Sequence, residues 1–212
     1  MKHSLVRALL ALTLTTPLAA QAQRIGLAMS EVDTFLSLLK NGVLVASTRA
    51  GANVLAENAQ TDMVTQLNQI QGLIAQKVDA LIVVPVDTSA TQRITSLAVN
   101  AGIPLVYVNR KPADFDQLPP TVAFVGSDER VSGTLQAREV CRLMGGRGHV
   151  LLLMGDLSNE AARTRTQDVE DVLASGSCSG IKVHDKRIGN WKRERARTVS
   201  YTHLTLPTSD LV

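Results

Sequence analysis

Aromatic residues are scarce in this sequence: one Trp, two Tyr and three Phe among 212 residues. That is too few to line a basic groove with the stacked rings that hold single-stranded nucleic acid. Charge of one sign is equally short, because 22 Lys and Arg against 19 Asp and Glu leave a net charge of only +3. An excess so small does not build a phosphate-binding face, so no nucleic-acid partner is expected. Two cysteines, Cys141 and Cys178, exclude a four-thiolate zinc site. Of the four histidines, only His149 and His184 fall in the body of the chain. They sit in unrelated strand contexts and do not make a metal site. The largely apolar run from Ala8 to Leu18 falls far short of the roughly 20 residues needed to span a bilayer.

What is present at each end reads as processing rather than fold. The N-terminus "MKHSLVRALLALTLTTPLAAQAQ" places Lys2 and Arg7 before its apolar run and closes on Ala20-Gln21-Ala22. Small residues two apart are what a signal peptidase requires. Residues 1–22 are therefore expected to be a secretory signal, with the mature chain starting near Gln23. In an oxidising compartment Cys141 and Cys178 either pair as a disulfide or remain two unrelated buried thiols, and the sequence leaves both open.

The last residues contain the strand-like run "VSYTHLTLPT", Val199 to Thr208, with no partner for a strand. Written back into codons, it resembles the complement of a transposase-type sequencing-library adapter. A sample index and the next adapter bases then account for Ser209 to Val212 and a stop. Residues 199–212 are accordingly expected to be a non-native tail, the natural polypeptide ending its visible part at Arg197 or Thr198; a genuine C-terminal strand is the alternative. Without Lys2, Arg7 and Asp210 the chain keeps 20 basic and 18 acidic residues. Its remaining length of about 175 residues is more than one typical domain and less than two.

Between those ends, strand and helix patterns alternate. Strands are predicted at Arg24 to Met29, Asn53 to Ala59, Ala80 to Pro85 and Pro104 to Asn109. Helices lie between them, at Asp33 to Ala50, from Thr61 or Asp62 onward, and from Thr88 or Ser89 to Gly102. The second helix carries Met63, Leu67, Ile70 and Ile74 as one apolar stripe. "ALIVVP" is a continuous apolar run of the kind found in parallel strands covered on both faces. The pattern implies an α/β fold with an open parallel sheet and helices on both faces. A short strand at Val122 to Asp128 leads into a second series: a helix from Glu129 to Met144, a strand from His149 to Asp156, a helix from Asn159 to Ala174 and a strand from Ile181 to Ile188. That second sheet is left unfinished.

Ligands of open parallel sheets sit beyond the carboxyl ends of the strands, where loops and helix N-termini converge. The residues there are Asp33, Thr34, Phe35 and Leu36 after the first strand and Asn109 and Arg110 after the fourth. Asp156 to Arg165, then Asn190 and Trp191, follow the strands of the second sheet. Fixed Asp, Asn and Arg side chains satisfy hydroxyls that both donate and accept, and C–H faces of a sugar lie against rings. With Tyr201 in the tail, two of the remaining five rings, Phe35 and Trp191, fall where a ligand would be clamped; the alternative is ordinary packing on a first helical turn.

These residues carry a resemblance. "SEVDTFLSLLKNG", "QLNQIQGLIAQKVDALIVVPVD", "AVNAGIPLVYVNR", "VGSDERVSGTLQAREV" and "NEAARTRTQDVEDVL", in that order behind a signal peptide, resemble the ribose-binding-like periplasmic binding proteins of ABC sugar importers. The similarity runs from Arg24 to about Arg197. It implies a two-lobed type I fold, an N-terminal lobe over 23–125 and a partial, incomplete C-terminal lobe over 126–198. It also implies a monomer in the periplasm, no cofactor, and an ABC permease with its ATPase as partners. Ligand contacts carried over by this resemblance are Asp33, Phe35, Leu36, Asn109, Arg110, Arg165 and Trp191, and the first hinge crossing falls at Gly126, Ser127 and Asp128. Ribose binders usually show Asn, Phe and Asp where this chain has Asp33, Leu36 and Asn109, and Thr166 replaces a common glycine. The ligand is therefore open between ribose, another pyranose, an inositol and an amino-inositol of the rhizopine kind.

Three other readings compete. A related DNA-binding repressor would begin with a helix-turn-helix module where the signal peptide stands. An enzyme would need a nucleophile, base or metal constellation, and none is visible. "GGRGHV", Gly145 to Val150, precedes a strand, whereas a phosphate loop follows one, so it reads as a helix stop. A binding protein that presents its ligand to a membrane receptor instead of a permease is not separated from the importer reading. The run "KRERAR", Lys192 to Arg197, reads as the solvated start of a helix with no assigned role. Sequencing the source locus across codon 198 checks the tail: a frame that continues in an alternating βα pattern is the expected result, and an encoded stop after Val212 contradicts it.

Overall fold

The computed structural model describes residues 22–203; all but the last residue of the expected signal at 1–22, and residues 204–212 of the expected tail at 199–212, lie outside the described residues. The first series of elements is β1 (Arg24–Met29), α1 (Thr34–Arg49), β2 (Asn53–Asn58), α2 (Met63–Ala75), β3 (Ala80–Val83), α3 (Thr91–Asn100), β4 (Leu105–Val108) and β5 (Val122–Val125). Its five strands form one parallel sheet in the order β2-β1-β3-β4-β5. The order reverses between β1 and β3, which opens a crevice at their carboxyl ends.

Alternation along the strands builds a core on each face, since successive side chains point to opposite sides. Ala28, Leu81, Val83 and Tyr107 join Ile70 and Leu73 of α2 and Ile94 of α3. Leu27, Met29 and Val84 join Leu36 of α1 on the other side. The stripe on α2 is displaced from the expected one: Ile70 and Leu73 are fully buried, Leu67 and Ile74 flank them, and Met63 does not belong to the core. Aspartates start the helices, the carboxylates of Asp33 and Asp62 accepting the N–H groups of Leu36 at 2.7 Å and Thr65 at 2.5 Å.

Two buried polar side chains are satisfied within this core, one of them at the exit of β3. Tyr107, wholly buried, donates to the Thr91 carbonyl at 2.8 Å and shares a 2.9 Å bond with Thr95 Oγ1; burial pushes its phenol well above the ordinary range. Gln66 grips the chain as it leaves β3: Nε2 donates to Val84 O at 2.9 Å, and Oε1 accepts from Val86 N at 2.8 Å. The carbonyls of Pro85 and Val86 are thereby held in place.

The second series is α4 (Glu129–Met144), β6 (Arg147–Met154), α5 (Glu160–Leu173), β7 (Gly180–Ile188) and α6 (Arg193–His203). Strands β6 and β7 pair in parallel, and their register shifts after Val150, leaving His184 as the extra residue on β7. The rings of His149 and His184 consequently meet edge-on, with centroids 6.3 Å apart. Their strand contexts are adjacent, not unrelated, a consequence of register that spacing along the chain does not reveal. Helices α4 and α5 cover this small sheet with a core of Ala137, Cys141, Leu173, Cys178 and Ile181. Gly145, at φ +62°, ends α4 in the left-handed conformation, as a helix stop requires.

Val199 to His203 belong to α6 and not to a strand. A helix satisfies its backbone locally and needs no partner, so the turn begun at Arg193 runs on through these residues.

Cys141 and Cys178 form a disulfide with Cα atoms 5.5 Å apart, pinning the end of α4 to the turn before β7. The pair closes a loop of 37 residues. Replacing both by Ala should lower unfolding stability by about 4 kcal/mol on the loop-entropy account. Urea unfolding of the two forms checks this, and equal midpoints would contradict it.

Candidate functional site

Asp33, Phe35, Leu36, Asn109, Arg110, Arg165 and Trp191 all line one cavity of about 300 Å³, together with Glu129, Asn159 and Ala161. The cavity lies where the loops after β1 and β4 face α5 and the loop after β7. Strand ends deliver these side chains, and helix caps fix their orientation.

Asp33 caps α1 through Oδ1, which leaves Oδ2 as its acceptor for the cavity. Phe35 follows with its ring more than half exposed, while Leu36 is buried in the core beneath α1. Leu36 is thus chiefly a packing residue that also forms cavity wall. Asn109 leaves β4 at φ +67°, a conformation that Asn tolerates better than most residues, and its N–H donates to Val125 O at 2.9 Å. That turn carries the chain directly to Arg110.

Arg110 is buried, and the protein answers its charge from three directions. Nη1 donates to the carbonyls of Pro85 at 3.1 Å and Val86 at 3.2 Å, and Nη2 to Glu31 Oε1 at 3.4 Å. Burial pushes the guanidinium below its ordinary pKa, and Glu31, Asp156 and Asp33 oppose that shift. The rest of its planar fork is what Arg110 offers to a molecule in the cavity.

The opposite wall is built the same way. Arg165 Nε donates to the buried carboxylate of Glu129, which also accepts from Ser127 Oγ at 2.9 Å. Its guanidinium carbon lies 5.8 Å from the centroid of the Trp191 ring. Asn190 and Trp191 are successive left-handed residues, at φ +51° and +59°, and this turn lays the indole across Gly155. A Cβ at Gly155 would stand 2.1 Å from an indole carbon, so only glycine admits the ring there. Asn159 caps α5 by accepting from Ala161 N at 3.1 Å and keeps its amide donors.

Gly126, Ser127 and Asp128 join β5 to α4. Asp128 caps α4, accepting from Arg130 N at 2.9 Å, and Ser127 engages Glu129. Gly126 is glycine for want of space: a Cβ would come within 2.3 Å of the Phe124 ring.

Glu31, Glu129 and Lys192 escaped the sequence reading of the site, whereas Asn159 lay within the stretch Asp156 to Arg165 that it named. Glu31, buried just beyond β1, meets Lys192 Nζ through Oε2 while Oε1 holds Arg110. Lys192, expected only to open a solvated helix, therefore has a specific partner. On another flank Thr88 donates its N–H and its hydroxyl to Ser158 O, at 3.2 and 3.1 Å. Glu31 and Lys192 both stand near residues that the strand-end rule named; their pairing was not legible, because they lie 161 residues apart along the chain.

The assembled groups are planar hydrogen-bonding side chains and ring faces. Among the described residues no three His, Cys, Asp or Glu side chains are grouped to hold a metal ion.

Comparison with known proteins identifies the family. The periplasmic binding protein domain family matches residues 25–208. A putative rhizopine-binding protein of Rhizobium meliloti is 50% identical over 177 residues, covering 82% of this chain and 57% of that protein. A xylitol-binding protein of Mycolicibacterium smegmatis is 29% identical, over 84% of this chain and 49% of its own length. The chain thus spans about half the length of the curated relatives it matches. Among solved structures, an ABC transporter solute binding protein from Bacillus halodurans with bound myo-inositol superposes with a TM-score of 0.78 at 29% identity, over 85% of this chain and 61% of that one. These relatives are binding proteins and not enzymes. This chain belongs to the periplasmic binding protein family, as a ribose-binding-like member with the type I α/β fold.

Proposed function

We propose that this protein captures a cyclic polyol of the inositol or amino-inositol class between two hinged lobes and delivers it to an ABC permease and its ATPase. The observation that carries this reading is the convergence of Asp33, Asn109, Arg110, Arg165, Phe35 and Trp191 on one cavity. A ring of hydroxyls needs donors and acceptors around its edge and apolar surfaces on its faces. With Leu36 in place of a second ring beside Phe35, one stacking face is lost, which favours a ligand held chiefly by its edge. Asp33 Oδ2 suits either a hydroxyl or an ammonium. The half-identical relative named as rhizopine-binding and the structure holding myo-inositol support the same class.

In this reading residues 23–125 form one lobe and 126–198 part of the other, with a signal at residues 1–22 directing the chain to the periplasm. Gly126 to Asp128 is the first crossing between the lobes. Ligand adds contacts to both walls only when the lobes close, so it shifts the hinge equilibrium toward the closed form.

Calorimetry on the product of the full reading frame tests the assignment with myo-inositol, an amino-inositol, xylitol and ribose. The inositols should bind at least about 10-fold tighter than ribose, since the site's buried polar groups reject a poorly matched hydroxyl pattern. Asp33→Asn should weaken the amino-inositol about 10-fold more than myo-inositol if the carboxylate meets an ammonium. Ribose binding as tightly as the inositols would overturn the class; equal losses for the two inositols would remove the amine.

A further inference from the structure

The pair formed by Glu31 and Lys192 has no place in ligand binding as described, and it crosses the cleft. Glu31 follows β1, two residues before Asp33. Lys192 follows β7, directly after Trp191. The bond therefore ties together the two loops that carry one wall residue each from opposite sides of the cavity. Lys192 is held for this contact, because its N–H donates to Gly189 O at 2.9 Å and closes the same left-handed turn that presents the indole.

Glu31 is 7% exposed, although a carboxylate at the mouth of a cleft could have remained in water. Its two oxygens are divided between two cations: Oε1 accepts from buried Arg110, and Oε2 meets the half-exposed ammonium of Lys192. Arg110 in turn holds the Pro85 and Val86 carbonyls. One continuous chain of charged and polar contacts thus runs from the α6 start, through Glu31 and Arg110, to the exit of β3.

We infer that Glu31 is a positioning residue that couples closure of the cleft to the readiness of Arg110, with Lys192 as the closing latch. With the loops together, Lys192 shares the carboxylate, and Glu31 holds Arg110 in a fixed fork. With the loops apart, Lys192 withdraws to water, and Glu31 remains with Arg110 alone in a wetter, less ordered setting. The latch favours the closed form before any ligand arrives, and apparent affinity rises with the fraction of binding-competent molecules. The affinity half of this inference rests on the cavity being the ligand site; the closure half does not.

Small-angle scattering of the unliganded full-length protein and titration with myo-inositol test the two halves separately. Lys192→Met should give a larger radius of gyration without ligand and about 5-fold weaker myo-inositol binding, as expected for a half-exposed ion pair. Lys192→Arg should restore both. Glu31→Gln should weaken binding further, because it also frees Arg110, and adding Lys192→Met to it should change nothing more. Lys192 is half exposed, so its substitution leaves the core untouched if Glu31→Gln fails to fold. A Lys192→Met protein with the scattering profile of the parent overturns the latch. Independent, additive effects of the two substitutions overturn the coupling. If no polyol binds the parent, the ligand assignment fails, while scattering still decides the latch.

Discussion

A buried guanidinium is the constraint around which this structure is arranged. Arg110 cannot shed its proton to escape desolvation, so every part of it that leaves water must find an acceptor. The acceptors come from two loops, two carbonyls beyond β3 and the Glu31 carboxylate beyond β1, and the charges of Asp33 and Asp156 add to them. Each acceptor needs its own support. Gln66, on α2, fixes the Val84 to Val86 backbone through both ends of its amide. Asn109 takes up a left-handed turn so that the arginine enters from β4 at all. A cavity wall that looks like one residue is therefore the product of three strands and a helix.

Sheet topology explains why those strands and not others contribute. In the order β2-β1-β3-β4-β5, β1 and β3 diverge into connections on opposite faces, and the space above their ends is left open. The loops after β1, β3 and β4 border that space. The second wall obeys the same logic on a smaller sheet: Glu129 and Arg165 start from α4 and α5, and Trp191 from the turn after β7. Carboxylate and guanidinium pairs appear on both walls, Glu31 with Arg110 and Glu129 with Arg165. Each pair satisfies part of its arginine internally and leaves the remaining donors aimed, which costs a ligand less ordering than two free side chains would.

Most of the fold was legible because its signals are local. Parallel strands buried on both faces read as unbroken apolar runs, and Asp33, Asp62, Asp128 and Asn159 mark helix starts by chemistry acting within three residues. The rule about strand ends named the stretches, the family resemblance picked seven side chains within them, and all seven line one cavity. What escaped depends on distance or register. Lys192 finds Glu31 only when the second sheet is in place, and His149 meets His184 only because β7 carries an extra residue. Leu36 shows a subtler limit, since a side chain on the first turn of a helix can face core and cavity together. Val199 to His203 have strand-like composition yet continue α6, because a helix already nucleated extends at little cost, whereas a strand without a neighbour gains nothing.

The Trp191 turn shows what the site asks of the backbone. Two consecutive left-handed residues, one of them tryptophan, are an unfavourable local choice that the surroundings must outweigh. Gly155 makes room for the indole, Arg165 lies over its ring, and Gly189 O takes the Lys192 N–H. The same turn that costs conformational energy presents a ring face to the cavity and an ammonium to Glu31. A relaxed turn would release both together, so a face of the pocket and a tie across the cleft are one mechanical unit. In the proposed reading, recognition at the ring and closure at the ion pair are coupled by covalent adjacency, without any longer pathway through the protein.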